Sequence, residues 1–422
     1  GYYLFLTSNF LFFSSLPFIS SHQSRHPTPW RHPHFPARTA AQTAPVVRTQ
    51  ANPAAPTAVL SSSECQKAHW PVHKVDCKSP LNKKSWEPEW VVQGREPAFI
   101  GPRINVTFGG KKYLFGNVPA LDVLQLPSNE GEAYEGQLRL MFAASGDLRN
   151  VVKTIAQMPP KYQQSIDIIM NDRDVDIVAR NVIMLLVALT AEDRDEAIDC
   201  MIHIWYSASI RKSHSDILKQ RVRPLIETVC DKIKGKPANK ILGKTWTFGK
   251  RSLRLVLQKS AWDKLLSFTD VPKGLTLTKA NEVRRSVTLA ESRVDYRERH
   301  FLFLVPPLRV AKRRYREDGL LLSFGAQRSD FCEPNPTFFQ SADSWPMLDS
   351  ADPLHGWSLD EVEKTLHGPA TSDIYGKLFH HVRNMLEDFI ACINNSTITF
   401  HLLQVDAANL ADHVDGTFDR IE

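Results

Sequence analysis

An α/β body built on a mostly parallel sheet is the fold class this sequence predicts, and three observations predict it. Strand-like and helix-like periods alternate twice between Leu138 and Leu189. A long amphipathic stretch, Tyr375 to Ile390, leads into a further apolar run, TITFHLLQVD. The 422 residues are 42% hydrophobic and 23% charged, an ordinary globular composition on a chain long enough for two or more cores.

Residues 1–60 begin with GYYLFLTSNFLFFSSLPFIS and continue through a stretch rich in Pro, His, Ala and Thr, with no acidic residue before Glu64. Such a sequence buries too little surface to offset its ordering entropy, so a disordered leader is expected. Its acid-free, Arg-dotted composition is also that of an organellar presequence. Its apolar start is that of a secretory signal without the basic residues ahead of the core. No other window reaches the ~18 unbroken apolar residues of a membrane span, and no membrane contact is expected.

Residues 61–80 hold a small Cys/His segment. Residues 81–100 read as a linker whose Trp86 and Trp90 dock on the body. The α/β body then opens in 101–235. LRLMFAA (138–144) has strand length, and SGD (145–147) is a turn that supplies a helix N-cap. Leu148, Val151, Val152 and Ile155 follow at helical spacing until Pro159 and Pro160 stop them. SIDIIM (165–170) is a second strand ending at NDRD, and Val175 to Leu189 is a strongly periodic helix. Strand–helix–strand–helix is the unit of a parallel sheet with right-handed crossovers. Two further helices are expected near 193–209 and 214–233. Residues 236–345 are basic and mixed in pattern, and are expected to form an insertion or middle region. Residues 346–422 add the amphipathic helix, a strand that ends at Asp406, and TFDRI (417–421), a strand opening so late that the sequence is expected to be cut short.

The segment SSSECQKAHWPVHKVDC (61–77) poses a metal question. Zinc takes four thiolate or imidazole ligands, delivered in pairs by short loops. Cys65, His73 and Cys77 are candidates, with His73 and Cys77 spaced for one helical turn and His69 in reserve. Cys65–Gln66, Trp70, His73–Lys74 and Cys77 match, in order and spacing, the closing half of a MYND-type zinc finger, which this segment resembles. The resemblance implies two interleaved zinc ions, with Cys65 in the first set and His73 and Cys77 closing the second. The chain departs from the pattern at Ser61, where the family has cysteine, and it lacks the two upstream Cys-x-x-Cys pairs. The ligand set is incomplete, and such modules fold through their metal. Tight zinc binding is therefore not expected of this chain.

A second constellation falls on the strand ends. Gly146 and Asp147 sit at the first strand-to-helix turn, Asp172 ends the second strand, and Asp406 ends the late one. In open parallel sheets a glycine turn with free helix N–H groups, followed by an acid at the next strand end, is the arrangement that holds a nucleoside. The plain alternative is a helix cap at Asp147 and surface acids at 172–174. ASGDLRNVVKTIA and IDIIMNDRDVDIVARNVIMLLVALT resemble a domain of unknown function found beside MYND fingers in fungal proteins, which is itself similar to the N-terminal part of axonemal dynein assembly factors. RYREDGLLLSFG, WPMLDSADPLHGW, SDIYGKLF and FDRIE resemble later blocks of the same family. The resemblance implies a Rossmann-like fold similar to S-adenosylmethionine-dependent methyltransferases.

Leu242–Thr245 contains GKT but lacks the glycine a phosphate loop needs at 238. Thirteen Lys/Arg against three acids lie between Arg211 and Arg254. Without interleaved aromatics that surplus reads as solvated surface, and nucleic acid is not an expected partner. Four cysteines placed singly, at 200, 230, 332 and 392, suit a reducing cytoplasmic or nuclear setting. No catalytic residue can be picked. The reading is a non-catalytic interaction or assembly protein whose complete finger would bind zinc and dock partner proteins. The alternative is a methyltransferase-like enzyme using S-adenosylmethionine. An enzyme should show an open pocket bounded by Gly146, Asp172 and Asp406, and a binding module should show that crevice filled.

Overall fold

Alternation of apolar and polar side chains sets the strands. Leu138, Leu140 and Phe142 face inward from β1 (Leu138–Phe142), as do Ile166, Ile168 and Met170 from β2 (Ile166–Asn171). A two-residue pair, β3 (Ser209–Ile210) with β6 (Glu333–Pro334), stands apart from the sheet. The main sheet adds β4 (Ile241–Phe248), β5 (Arg251–Gln258), β7 (Ile398–Leu403) and β8 (Arg420–Ile421), in the order β4-β5-β7-β2-β1-β8. All neighbours are parallel except the β4–β5 hairpin. This computed structural model describes residues 63–101, 107–366 and 370–422, so the expected leader lies outside the described residues.

One face of the sheet carries the helical layer. Helix Val175–Leu189 is buried without a break from Ile177 to Leu189, which is why its apolar residues run all round it. Asp174 caps it by accepting the Asp176 N–H, and Lys112 ties both acids to the preceding segment. Helix Arg194–Tyr206 is capped the same way by Asp193, and helix Ile374–Asn395 by Asp373. These helices, with Arg149–Ala156 and Lys259–Ser267, share one core with Leu140, Ile168, Phe400 and Leu255.

The opposite face differs from a doubly wound sheet, where helices cover both sides. Arg139, Asp167, Thr399 and Ser252 form one row across it, and Ile169, His401 and Arg254 part of the next. Most of these side chains are half-buried or exposed. Met141, Ile169 and Leu403 are closed over by Leu410, Val414 and Phe418 of the strap that carries the chain from β7 to β8. Residues 236–345 place two of their strands, β4 and β5, inside the sheet. The GKT stretch is strand β4. In the linker, Trp90 is buried and Trp86 packs on Phe301 beneath the Arg309 guanidinium.

Candidate functional site

The sequence constellation does converge, and the chain uses its polar atoms internally. Gly146 adopts φ +54, a left-handed turn that glycine takes without steric cost. Its N–H donates to Asp172 Oδ2 at 3.2 Å, and its carbonyl accepts Asn181 Nδ2 at 2.7 Å. The other Asp172 oxygen accepts the Asp174 N–H at 2.8 Å. Burial pushes the Asp172 carboxyl up, against the pull of those two backbone donors.

Asp147 turns inward. It is 4% exposed, accepts Arg149 Nε at 2.7 Å and receives Trp205 Nε1 at 3.0 Å. The helix starts at Arg149 with Leu148 in the cap position, and Asp147 Oδ1 accepts the Arg149 N–H at 3.3 Å. Asp406 lies at the end of the next strand and caps its own short turn through the Ala408 N–H at 3.0 Å. Between them sits Asn171, which sequence reasoning missed. Its Nδ2 donates to the carbonyls of Ala143 and Val405 at 2.9 and 3.0 Å, and its Oδ1 accepts the Val405 N–H at 3.0 Å. The carboxyl ends of β1, β2 and β7 are thus stitched by one side chain. A buried Asn closing an apolar strand was the available signal.

A cavity of about 570 Å³, within the size range of ligand sites, lies elsewhere. One wall is helix Ser63–Cys77, with Trp70, His73 and Cys77 facing it. Val310 and Ala311 of helix Pro306–Asp318 form another, and Leu322 and Phe324 add apolar surface. An ion pair between Arg314 and Asp76 and an edge contact between the His73 and Phe324 rings hold the Cys/His helix in place.

That helix decides the metal geometry. His73 Nε2 and Cys77 Sγ lie 3.1 Å apart, close enough to serve as two ligands of one ion. Cys65 lies on the same helix, twelve residues before Cys77. Among the described residues no group of three or more His, Cys, Asp or Glu could hold a metal. Among the described side chains, His73 and Cys77 supply two of the four ligands that a tetrahedral zinc site takes. The purified chain should retain less than one equivalent of zinc by elemental analysis, and two stoichiometric ions would overturn this account.

A Ser–His–Asp line was also missed. Asp199, His203 and Ser207 recur every fourth residue around helix Arg194–Tyr206, a spacing that could have been noticed. His203 Nδ1 lies 3.0 Å from Ser207 Oγ, and Nε2 lies 3.5 Å from Asp199 Oδ1. All three are buried, and Ser207 Oγ also accepts the Leu321 N–H, so the residue types of a nucleophile site serve here to hold the core.

Among the described residues, no helix is long and apolar enough to cross a membrane. Comparison with characterised proteins and with solved structures returns no match. A family profile described as a domain of unknown function, DUF4470, matches residues 114–210, which span β1 to β3 and leave the other strands of the sheet outside it.

Proposed function

We propose that this chain is a non-catalytic interaction or assembly protein that seats an apolar segment of a partner protein in the cavity beneath its Cys/His helix. The observation that carries the reading is the satisfied strand-end crevice: the Gly146 N–H, both Asp172 oxygens, Asp147 and Asn171 already have partners within the chain. A cofactor edge needs such donors and acids free. The resemblance of 61–77 to the closing half of a MYND-type finger suits the same function, since a complete finger would bind zinc and dock partner proteins. The five cysteines described are all free thiols, which supports a cytoplasmic or nuclear setting.

The methyltransferase-like alternative keeps one observation in its favour, the direct contact of Gly146 with Asp172 at adjacent ends of parallel strands. One set of binding measurements separates the two. Peptides selected on the purified chain should bind through an apolar anchor. Ala311→Trp, which fills the cavity, and Phe324→Ala, which enlarges it, should each weaken them about tenfold or more, some 1.4 kcal/mol. S-adenosylmethionine at millimolar concentration should give no calorimetric heat. Saturable heat that Asp172→Ala removes would reverse the assignment.

A further inference from the structure

Two buried guanidinium groups meet one small cavity, and neither makes an ion-pair contact with a carboxylate among the described residues. Arg284, on helix Leu277–Thr288, is 2% exposed, and Arg316, on helix Pro306–Asp318, is 8% exposed. Both line a space of about 20 Å³, together with Trp345, Phe338 and Gly319. The nearby carboxylates are engaged elsewhere: Asp318 pairs with Arg328, Asp349 with Arg293, and Asp352 with Lys312.

The unpartnered atoms are all donors. Arg284 Nη1 donates to the carbonyls of Tyr315 and Arg316 at 3.4 and 3.1 Å. Its Nε and Nη2 have no acceptor among the described residues, and neither has Trp345 Nε1. Thr288 Oγ1 already donates to the Arg316 carbonyl at 2.8 Å. Gly319, at φ +67, ends the neighbouring helix, and a Cβ there would meet Arg284 Cζ and Nε at 2.9 Å. The glycine lets the guanidinium lie flat against the helix end. Buried N–H groups are almost always paired, with protein or with a small ligand.

We propose that this cavity binds a single halide-sized anion, held by Arg284 Nε and Nη2 and by Trp345 Nε1. Volume selects the size, because a water-sized sphere needs about 10–15 Å³ and little more is present, which leaves no room for a sulfate or phosphate. Charge selects the anion. A water would satisfy the N–H groups but leave the two buried cations with only the Asp318 carboxylate nearby, which Arg328 already pairs, a costly condition for ions in a low dielectric. Burial pushes the Arg284 guanidinium down to about 10, although the Asp318 carboxylate pulls the other way. The anion would cross-link helix Leu277–Thr288 to the loop that carries Trp345.

Crystals soaked in sodium bromide should show an anomalous peak between Arg284 and Trp345. A water there, with no bromide signal, overturns the proposal. In solution, the unfolding temperature should rise and saturate with chloride, relative to sulfate at equal ionic strength. Trp345→Phe, which keeps a ring and loses one donor, should reduce that rise, and Arg284→Met should abolish it. Should Arg284→Met fail to fold, Trp345→Phe carries the test, and a chloride response identical to the parent's overturns the site.

Discussion

Asp147→Ala should lower the unfolding free energy by about 3–5 kcal/mol, the range for removing one partner of a buried ion pair. Asp147 and Arg149 are 4% and 8% exposed, with Nε 2.7 and 2.9 Å from the two carboxylate oxygens. Arg149 also donates to the carbonyls of Gly356 and Val118, so the cation is fixed in place and cannot swing out to water. Gly116 and Gly356 are shaped to it, since a Cβ on either would meet the guanidinium or its stem. Loss of the carboxylate leaves that charge unbalanced and strips Trp205 Nε1 of its acceptor. Asp147→Asn should fall between parent and Ala, because the amide oxygen keeps a hydrogen bond without the charge. The double variant Asp147→Ala/Arg149→Met should recover much of the loss, since an apolar pair of similar volume often replaces a buried ion pair at little cost. Urea midpoints at unchanged m-value measure this. A loss below about 1 kcal/mol for Asp147→Ala would mean that the residue is spare for a ligand, and would weaken the reading of a crevice filled by its own chain.

The same residue shows how far the sequence could be read. Ser145–Asp147 and Asp172 were legible as neighbours because one helix and one strand separate them, and parallel pairing brings such turns together. What Asp147 does was not legible, because Trp205 reaches it from another part of the chain, and Val118 and Gly356 hold its partner Arg149 from two more. Asn171 escaped for the same reason, with its partners at Ala143 and Val405. The strands β1, β2 and β7 and the helix after β2 declared themselves by period. The β4–β5 hairpin did not, although Trp246 stands between two threonines and Leu253 and Leu255 flank Arg254, because Val256 breaks the alternation and basic residues surround it. The one-sided sheet was also written in the strands. Parallel strands buried on both faces read as unbroken apolar runs, whereas Arg139, Asp167, Thr399 and His401 interrupt these on one face. The 570 Å³ cavity had no sequence signature, since its walls come from residues 70–82, 307–328 and 370–375.

Acid should unfold this protein partly through His203. Burial holds its imidazole down at about 4, against an ordinary value of 6.5, although Asp199 pulls the other way. Everything packed around it explains why a proton is unwelcome. Arg211 already balances Asp199 at 2.6 Å, His214 stacks at a ring distance of 5.3 Å, and Phe331 and Phe379 close the remaining sides. Burial alone would raise the Asp199 carboxyl, but the two imidazoles beside it, His214 in hydrogen bond at 3.1 Å and His203 at 3.5 Å, hold it well below the usual range, so it stays ionised while His203 titrates. The sign follows from the two states. Below pH 6.5 the unfolded chain takes up a proton at this position, and the folded chain does not until about pH 4. Stability is therefore whole above pH 6.5 and falls as pH drops through that window, by on the order of 3 kcal/mol in all. His300, His355, His381 and His401 are also lowered by burial and add to the slope. The comparison that isolates His203 is His203→Gln, whose amide can still bond Ser207 Oγ, 3.0 Å from the imidazole in the parent. Urea unfolding of both proteins at pH 7.5, 6, 5 and 4.5 should give curves that diverge at the high end and converge toward pH 4, because the parent loses more. Parallel pH profiles would show that His203 carries its proton as readily in the fold as in the open chain.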